Sequence, residues 1–476
     1  MREKLRIRIK FRENGNFLPQ QSLRHGLRRA TSLYTREALG CFLYLKFVQN
    51  LNLLNEVNRM KLLWLCNNAP GVVRSAISGQ PASAVNWMDQ VLDGLRKAGM
   101  TVRILYRGVG EPGTLPDGCS YRAFGEEAPW VYRPELEETF REEIRTFQPD
   151  VIHSWGVEYD HALAMANAAR EEGKLDCTVA SIQGLCRFLA EHYLDGIPQK
   201  VQRQTTFRDF VRKDNLLRQQ EKFVLRGKLE TQTVQTLKHI IGRTTWDKEK
   251  TAILNPNREY HFCNETLRAP FYEGQWRYAE CKKHRVFAGS CSYPIKGFHL
   301  LMEAMAMVRQ AYPDATLAVT GRSFAPGDWK GRLRRGTYEV YLDKLARAHH
   351  LSIDFLGNLS AEEMKRAYLD ANVFCLSSTM ENSPNALGEA MLLGVPCVAA
   401  DVGGVRDLLE AGREGRIYPS GDVQALAKHI CDLFAMEDQA AALGEAARPH
   451  AAVTHDPQKN LTDLLAIYES LRKENQ

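Results

Sequence analysis

The 476-residue chain has no uninterrupted apolar run near the roughly 20 residues that a membrane-spanning helix requires. Its eleven cysteines are odd in number and scattered, with no CxxC pair, which disfavours a disulfide framework and a zinc site. No internal repeat and no low-complexity tract is present in the sequence, which excludes a repeat architecture. The cysteines therefore resemble small core residues of a reduced, cytoplasmic protein with two or three domains.

The net charge of +6 is unevenly distributed along the chain. Residues 1–59 hold twelve Lys/Arg and four Asp/Glu, so that the remainder is slightly negative. The first ten residues contain no apolar segment that could serve as a signal peptide. We interpret residues 1–59 as a poorly ordered basic extension, with translation from an upstream start codon as one origin. The alternative is an amphipathic arm that contacts a membrane.

From Met60 onward, strand-like and helix-like segments alternate, and this order predicts a doubly wound parallel sheet. The predicted segments are strand 62–66, a Gly/Ser/Pro loop over 67–83, helix 85–98, strand 101–106, strand 151–155, helix 160–171 and strand 178–182. A second alternating unit begins at Arg285, with helix 297–312, strand 315–320, helix 337–348, strand 353–356 and a capping box at Ser360. Two Rossmann-like domains that face each other are therefore expected.

The segment from Glu381 to Glu389 is the most informative part of the chain. It follows the apolar run 373–376 and precedes the apolar residues 390–393 and a second apolar run at 396–400. This order predicts strand, acidic loop, helix and strand, with Pro384 at the first helical position. The free N–H groups of Asn385, Ala386 and Leu387 would then face the crevice at the positive end of the helix dipole, as a site for a diphosphate. The alternative is a solvated acidic loop.

Residues 199–250 form a basic amphipathic stretch, with thirteen Lys/Arg and six Asp/Glu interspersed with apolar residues. One interpretation is a surface helix that packs one face on its own domain. The other is contact with an anionic membrane surface or with a phosphate-bearing acceptor. Nucleic acid is not expected as a partner, because no recognised binding motif accompanies the charge.

The second half of the chain resembles the family 4 retaining glycosyltransferases, also called glycosyltransferase group 1, and in particular members from bacterial polysaccharide biosynthesis. The motifs that carry the resemblance are Phe355-Leu356-Gly357, Glu381 through Glu389, Gly394-Val395-Pro396, Val402-Gly403-Gly404-Val405, and Lys296-Gly297 after Gly289. It covers residues 280–430 strongly and residues 60–190 more weakly. The resemblance implies the GT-B fold, in which a nucleotide-sugar binds between two Rossmann-like domains and a C-terminal helix crosses back to the first.

The resemblance also implies roles for individual residues. Lys296 would bind the donor diphosphate without a metal, Glu389 would accept hydrogen bonds from both ribose hydroxyls, and Glu381 would contact donor-sugar hydroxyls beside the reacting carbon. Glu381 and Lys296 are the catalytic candidates. The full set of expected donor-binding residues is Gly289, Ser290, Lys296, Phe355, Leu356, Gly357, Glu381, Asn382, Ser383, Asn385, Ala386, Leu387 and Glu389. Family members are thought to react by front-face attack, so we name no enzymic nucleophile; a covalent role for Glu381 is the alternative.

The sequence departs from the family pattern at several positions. Ser290 follows Gly289 where the family has an arginine, for which Arg285 or Arg322 would have to compensate. The family's Gly-Gly pair is replaced by Gly79-Gln80, and Gln183 stands where a histidine is common. The expected acceptor or interdomain-cleft residues are Gly79, Gln80, His153, Gln183 and Arg243. A structural histidine is the alternative for His153, and a structural ion pair for Arg243.

We therefore predict four regions. They are a basic extension (1–59), an N-terminal acceptor domain (60–270) with a basic helical insertion near 199–235, a donor domain (271–455) and a C-terminal helix (456–476) that packs on the first domain. The predicted protein is a cytoplasmic enzyme without a cofactor, whose partners are a nucleoside diphosphate sugar and a saccharide or lipid-linked acceptor. Peripheral attachment to the inner face of the plasma membrane, through contact with anionic lipid, is the alternative for its location. A non-catalytic nucleotide-sugar-binding scaffold is the main alternative, and a nucleotide-sugar epimerase is the third.

Overall fold

The computed structural model describes residues 60–79 and 87–474. The predictions made for residues 1–59 and for Gln80 lie outside these ranges. The described part of the chain forms two lobes, each built on one sheet with helices on both faces.

The first lobe contains an eight-stranded sheet in the spatial order β3-β4-β2-β1-β5-β6-β7-β8. Its strands are β1 (Lys61–Cys66), β2 (Thr101–Tyr106), β3 (Gly113–Thr114), β4 (Ser120–Ala123), β5 (Val151–Trp155), β6 (Thr178–Ser181), β7 (His239–Gly242) and β8 (Glu259–Phe262). All neighbouring strands are parallel except the β3–β4 pair at one edge. Because the order reverses between β1 and β5, this sheet is doubly wound.

Within the described ranges, nine α-helices and one short 3₁₀ helix (Leu175–Cys177) accompany this sheet. The α-helices are α1 (Gly71–Ser78), α2 (Trp87–Lys97), α3 (Glu135–Phe147), α4 (Asp160–Glu171), α5 (Cys186–Glu191), α6 (Gln199–Gln202), α7 (Phe207–Arg212), α8 (Leu216–Thr236) and α9 (Thr245–Leu254). The basic stretch predicted from the sequence corresponds to α6 through α9 and β7.

The second lobe contains a six-stranded, entirely parallel sheet in the order β11-β10-β9-β12-β13-β14. Its strands are β9 (Arg285–Ala288), β10 (Thr316–Val319), β11 (Ile353–Phe355), β12 (Val373–Leu376), β13 (Cys397–Asp401) and β14 (Arg416–Pro419). The order reverses between β9 and β12. The loops that follow these two strands therefore diverge and leave a crevice at the carboxyl edge of the sheet, where open α/β sheets bind ligands.

The helices of the second lobe alternate with its strands. They are α10 (Phe298–Ala311), α11 (Trp329–Arg334), α12 (Thr337–Ala348), α13 (Ala361–Leu369), α14 (Asn385–Leu393), α15 (Val405–Leu408), α16 (Val423–Ala435) and α17 (Glu437–Thr454), with 3₁₀ turns at Ala269–Tyr272 and Pro294–Lys296. The last helix, α18 (Pro457–Glu474), returns to the first lobe, where it packs against β5 and α2. The buried Tyr468 hydroxyl lies 2.5 Å from Nδ1 of His153 in β5.

Most predicted elements are confirmed, and the largest error is the loop expected over residues 67–83. Helix α1 begins at Gly71, directly after Pro70, and Gly79 ends it with a left-handed φ of 66°. The Asp89 carboxylate accepts the N–H of Val72 at 3.0 Å and so caps the first turn. Val73 is fully buried. Tertiary packing of this residue stabilises a helix that the Gly/Ser/Pro composition conceals.

Small and apolar side chains, among them the cysteines, form the interior of both lobes. Ten of the eleven cysteines lie in the described ranges and all ten are free thiols, nine of them buried. This matches the prediction that they are small core residues. No helix within residues 60–79 and 87–474 has the length and apolar character needed to cross a bilayer.

Hydrogen bonds tie the two lobes together along the cleft. The Thr244 hydroxyl donates to the side-chain oxygen of Asn382 at 2.9 Å, and the Thr245 N–H donates to Asp407 at 3.0 Å. Farther along, the buried Asp209 carboxylate of α7 accepts from the N–H and the hydroxyl of Thr337, at 2.9 and 2.6 Å. The basic insertion therefore contacts the second lobe as well as its own, which the sequence did not indicate.

Candidate functional site

A cavity of about 490 Å³ lies between the lobes at the point where the second sheet reverses its order. We call it the switch-point cavity. Its walls come from the loops after β9 and β12, from the start of α14, and from Gln183 and Arg243 of the first lobe. The predicted residues on its walls are Gln183, Arg243, Gly289, Ser290, Lys296, Glu381, Ser383, Asn385, Ala386 and Glu389. Expected residues of the first lobe and of the second lobe therefore line the same cavity.

Lys296 ends the 3₁₀ turn Pro294–Lys296, and its ammonium lines the cavity. Gly297 follows with φ at 60°, and a Cβ at this position would lie 1.9 Å from the carbonyl oxygen of Ser377. Only glycine lets the chain turn this close to the end of β12. The close approach brings Lys296 beside the acidic loop that follows β12.

Glu381 lies in that loop and receives the ammonium of Lys296 at 2.6 Å. The Ser378 hydroxyl donates to the same carboxylate oxygen at 2.7 Å. Behind the loop, a Cβ at Gly403 would lie 1.6 Å from the Glu381 carbonyl oxygen, and the Gly404 N–H donates to Asn382. The adjacent glycines therefore allow one backbone to support the other directly, which holds the Glu381 carboxylate at the cavity wall.

Glu389 lies on α14 and is almost completely buried. Both of its oxygens accept from the Arg268 guanidinium, at 2.7 Å from Nε and 2.7 Å from Nη2. The Tyr368 hydroxyl lies 3.5 Å away. Burial raises the pKa of the Glu389 carboxyl, and the Arg268 guanidinium opposes that rise. A carboxylate has about four acceptor sites, so that a bidentate arginine leaves lone pairs for further donors.

The start of α14 supplies backbone donors to the same cavity. Among the described residues no group accepts the N–H of Asn385 or Ala386, which both line the cavity. The prediction for Leu387 was wrong, because Leu387 is fully buried and its N–H donates to the carbonyl of Pro384 at 2.9 Å. Pro384 lies one position before the helix rather than inside it. The first turn therefore closes on itself and leaves two free amides rather than three.

Arg243 and Gln183 reach the cavity from the first lobe through a shared carboxylate. Arg243 forms a buried ion pair with Glu265 at 2.6 Å, and Gln183 donates to the other Glu265 oxygen at 2.7 Å. The side chain of Asn385 lies 3.5 Å from Glu265 and 3.5 Å from Arg243. This network connects the two lobes at the floor of the crevice.

Three cations and three carboxylates therefore pair around the switch-point cavity: Lys296 with Glu381, Arg268 with Glu389, and Arg243 with Glu265. The charges of these six groups cancel one another. A dianionic ligand that enters would compete with the carboxylates for the cations. The carboxylates that it displaced would then be free to accept hydrogen bonds from hydroxyl groups on the same ligand.

Several predicted residues do not line this cavity. Phe355 ends β11, which lies two strands away from β9, and Leu356 and Gly357 follow it. None of the three contributes to the cavity walls. Asn382 is buried and connects the lobes through Thr244, so its amide is used for interlobe packing. Gly79 ends α1 and has no neighbouring atom within 4 Å of the Cβ position.

His153 also lies outside the cavity, as a correction to its expected cleft position. The imidazole is fully buried between Tyr468 and Ser181, with its Nε2 2.8 Å from the Ser181 hydroxyl. Burial lowers its pKa to about 3, so that the ring is neutral at physiological pH. His153 is therefore a hydrogen-bonded core residue that attaches α18 to the first sheet.

The structure also locates the cations that were considered in place of the family's missing arginine. Arg285 forms an ion pair with Asp354 at 2.6 Å and does not line the cavity. Arg322 lines a different cavity. Besides the expected Arg243, the cavity is lined by the guanidinium of Arg268, which sequence reasoning missed. It lies in the segment that joins the lobes, 121 residues before its partner Glu389, and no local motif marks it.

One group of side chains in the described ranges has spacing suitable for a metal ion: His239, Glu259 and His261, on β7 and β8. None of the three lines the switch-point cavity. The cavity's polar groups are instead ammonium, guanidinium, amide and carboxylate groups, which suit an anionic ligand that also carries hydroxyls.

Comparison with known families assigns the second lobe. Residues 276–450 match the family described as Glycosyl transferases group 1. These residues form a glycosyl transferases group 1 domain. Every residue of the second lobe that lines the switch-point cavity falls within the matched range, whereas Leu267 and Arg268 lie before its start at residue 276.

Curated relatives resemble part of this chain over part of their own length. The chain is 26% identical over 193 residues to spore coat protein SA of Bacillus subtilis, which is 40% of this chain and 50% of the relative. It is 32% identical over 143 residues to the putative colanic acid biosynthesis glycosyltransferase WcaL of Salmonella typhimurium, which is 29% of this chain and 32% of the relative. The chain thus spans half or less of the length of these relatives.

Solved structures show that the whole described chain has the GT-B fold around this group 1 domain. Sucrose-phosphate synthase from Thermosynechococcus elongatus superposes with a TM-score of 0.63 at 16% identity, and covers 86% of this chain and 99% of its own. HepE of Anabaena, in complex with UDP and glucose, gives a TM-score of 0.61 at 17% identity, with coverage of 86% and 100%. The predicted fold class is confirmed.

Proposed function

We propose that this protein is a retaining glycosyltransferase of family 4. In this proposal it transfers a hexose from a nucleoside diphosphate sugar to a saccharide or lipid-linked acceptor in cell-surface polysaccharide synthesis. The observation that carries the proposal is the convergence of Lys296, the free amides of Asn385 and Ala386, Glu381 and Glu389 on the switch-point cavity. Relatives named as glycosyltransferases and the HepE complex with UDP support it.

Donor binding would exchange the partners of one ion pair. The Lys296 ammonium, 2.6 Å from Glu381 and 38% exposed, would move to the diphosphate, joined by the amides of Asn385 and Ala386. Glu381 would then accept hydrogen bonds from the donor sugar. Glu389, oriented by Arg268, would accept from the ribose through its remaining lone pairs.

The transfer step places its greatest electrostatic demand on the leaving phosphate. In a retaining transfer the sugar becomes oxocarbenium-like while negative charge builds on the departing oxygen. Lys296 and the two amides are positioned to stabilise that charge in a crevice between the lobes. We propose front-face attack, in which the leaving phosphate assists deprotonation of the acceptor, so that no enzymic nucleophile and no metal is required.

The test measures release of nucleoside diphosphate from a panel of UDP-, GDP- and ADP-sugars, with and without acceptor extracts. We expect one donor to give acceptor-dependent release that persists with EDTA, and a product that keeps the anomeric configuration of the donor. Lys296→Ala should lower kcat/KM by about 10- to 100-fold, the effect of losing one charge-assisted hydrogen bond. Lys428→Ala, whose ion pair with Asp432 lies on α16, is the matched control.

Two results would reject the proposal in favour of named alternatives. Tight nucleotide binding without turnover of any donor indicates a scaffold protein. The features that support it are Ser290 and Gln183, which stand where the family has an arginine and commonly a histidine. Conversion of a donor without acceptor indicates an epimerase. If EDTA abolished the activity and added metal restored it, only the proposed metal-independent chemistry would be rejected.

A further inference from the structure

A second cavity, of about 900 Å³, lies next to the switch-point cavity and is not used by the proposed donor site. We call it the basic cavity. The loop after β9 lines both: Gly289 and Ser290 border the switch-point cavity, and Cys291, Ser292 and Tyr293 border the basic cavity. Its other walls come from α7, α8 and the loop around Trp130 in the first lobe, and from residues 322–342 in the second.

The basic cavity has a strong excess of positive charge. Among the residues that the structure describes, seven arginine and lysine side chains line it, against the two carboxylates of Asp214 and Glu339. Asp214 is already paired with Arg208 and Lys222. The remaining cations are Arg107, Arg212, Arg226, Arg322 and Arg334, and none of them forms an ion pair with a carboxylate in the part of the chain that the structure describes. This differs from the switch-point cavity, where every cation has a carboxylate partner.

Aromatic rings hold part of this charge at the cavity wall. The Arg226 guanidinium lies 4.3 Å from the ring centre of Tyr159 and 4.8 Å from that of Phe223. Its Nε donates to the carbonyl of Glu158 at 3.4 Å. These contacts orient the guanidinium without neutralising it. Arg226 is therefore a positioned cation for an anionic ligand.

The rim of the cavity is apolar and exposed. Phe207 and Val211 on α7 are 62% exposed each, and Leu333 on α11 is 44% exposed; all three line the cavity. Phe210 on α7 and Trp329 on α11 are 74% and 66% exposed. The two helices come from different lobes and contact each other. Together they form a cationic cavity with an exposed apolar margin, a combination that fits a ligand with an anionic head and an apolar chain.

We propose that the basic cavity binds the phosphate or diphosphate group of a lipid-linked saccharide acceptor. This inference rests on the proposed function and specifies its acceptor class. The phosphate groups would contact Arg226 and the free arginines around it, and the lipid chain would leave across α7 and α11. A volume of about 900 Å³ is large enough for a diphosphate with an attached sugar. The shared β9 loop would direct that sugar toward the donor.

The test is equilibrium binding to the full chain, with the switch-point cavity saturated by its nucleoside diphosphate. The probes are farnesyl diphosphate, inorganic pyrophosphate and farnesol. We expect farnesyl diphosphate to bind more tightly than either other probe, because only it combines both chemistries. Tighter or equal binding of pyrophosphate would assign the site to soluble phosphates and reject the lipid-linked acceptor.

Variants separate the two parts of the site. Arg226→Gln and the exposed Arg322→Gln should each weaken binding of farnesyl diphosphate by about tenfold or more, as expected for one charge-assisted hydrogen bond. Phe207→Ser should weaken farnesyl diphosphate but leave pyrophosphate unchanged. Arg277→Gln, whose exposed ion pair with Glu280 lies outside the cavity, is the matched control.

Three outcomes would overturn the inference. The first is binding of farnesyl diphosphate by Arg226→Gln and Arg322→Gln that equals the binding by wild type. The second is loss of binding in Lys296→Gln but not in Arg226→Gln, which places the probe in the switch-point cavity. The third is flotation with phosphatidylglycerol vesicles that survives both arginine substitutions, which assigns the surface to bulk anionic membrane. Donor turnover is measured separately, so failure here leaves the glycosyltransferase proposal standing, and failure of turnover leaves this binding result interpretable.

Discussion

The Arg268 guanidinium donates to both carboxylate oxygens of Glu389 at 2.7 Å. This ion pair joins the segment between the lobes to α14, the helix that begins at the cavity. Glu389 is 4% exposed. A carboxylate at this depth is stable only with a charged, well-aligned partner. The relationship therefore determines both the ionisation of Glu389 and the direction in which its free lone pairs point.

Removing the arginine is expected to expose this dependence. Arg268→Leu leaves a buried carboxylate without its partner, which typically costs about 3–5 kcal/mol of unfolding free energy. Chemical denaturation measures the loss, and nucleoside diphosphate titration at neutral pH should show weaker binding. Arg277 forms an exposed ion pair with Glu280, so that Arg277→Leu should change neither the unfolding free energy nor the binding of nucleoside diphosphate. Equal stability of the two variants would show that Arg268 has no such role.

The turn that positions Lys296 can be tested with two glycines of similar φ. Gly297 (60°) and Gly173 (66°) both have left-handed backbones, so that alanine at either should cost about 1–2 kcal/mol. At Gly297 a Cβ also lies 1.9 Å from Ser377, whereas at Gly173 nothing lies within 4 Å. We therefore expect Gly297→Ala to destabilise further and to raise the donor KM, and Gly173→Ala to leave KM unchanged. Equal effects would contradict the close-approach explanation.

The pH dependence of stability should contain a contribution from Glu230. This fully buried carboxyl on α8 accepts the N–H groups of Cys186 and Arg187, at 2.5 and 3.2 Å. Burial raises its pKa from 4.5 to about 8, so that the folded state keeps a proton that the unfolded state loses. Stability from this group is full below about pH 4.5 and falls as pH rises toward 8, by at most about 1.4 kcal/mol per pH unit.

The measurement is the unfolding free energy of wild type and Glu230→Gln from pH 5 to 8. Glutamine keeps an acceptor but does not titrate. The unfolding free energy of wild type minus that of Glu230→Gln should therefore decrease or change sign as pH rises. A difference that is constant over this range would show that Glu230 titrates normally.

His153 should matter for stability and not for donor binding. His153→Leu removes the imidazole that hydrogen-bonds the Tyr468 and Ser181 hydroxyls in the core, at an expected cost of about 1–3 kcal/mol. Gln183→Leu is the matched comparison, because Gln183 lines the switch-point cavity. It should change donor kinetics more than thermal stability. A rise in donor KM for His153→Leu at full stability would return this residue to the site.

Local pattern predicted the elements that position the site. Strands 101–106 and 151–155, helices 160–171 and 337–348 and the capping box at Ser360 all match the structure. These segments have strong periodicity and clear end signals, so that short-range chemistry determines them. Helix α1 was not predicted, because the contacts that stabilise it, with Asp89 and through the packing of Val73, are tertiary.

The site was predictable where its residues follow strands in sequence. Lys296, Glu381 and Glu389 belong to segments that a doubly wound sheet brings to one edge, so topology alone unites them. Arg268 and Glu265 lie in the connection between lobes, and their partners are at least twenty residues away. No local signal could mark them.

The sequence by itself determined the two alternating sheets and the motif residues at the second sheet's edge, because periodicity and strand order are encoded within short windows. Tertiary structure alone decided which charges meet. It pairs Arg268 with Glu389 and directs the N–H of Leu387 to the carbonyl of Pro384. It also buries His153 and forms the basic cavity from residues of both lobes. Pairing and burial depend on side chains that are far apart in the chain, and only the packed fold brings those side chains together.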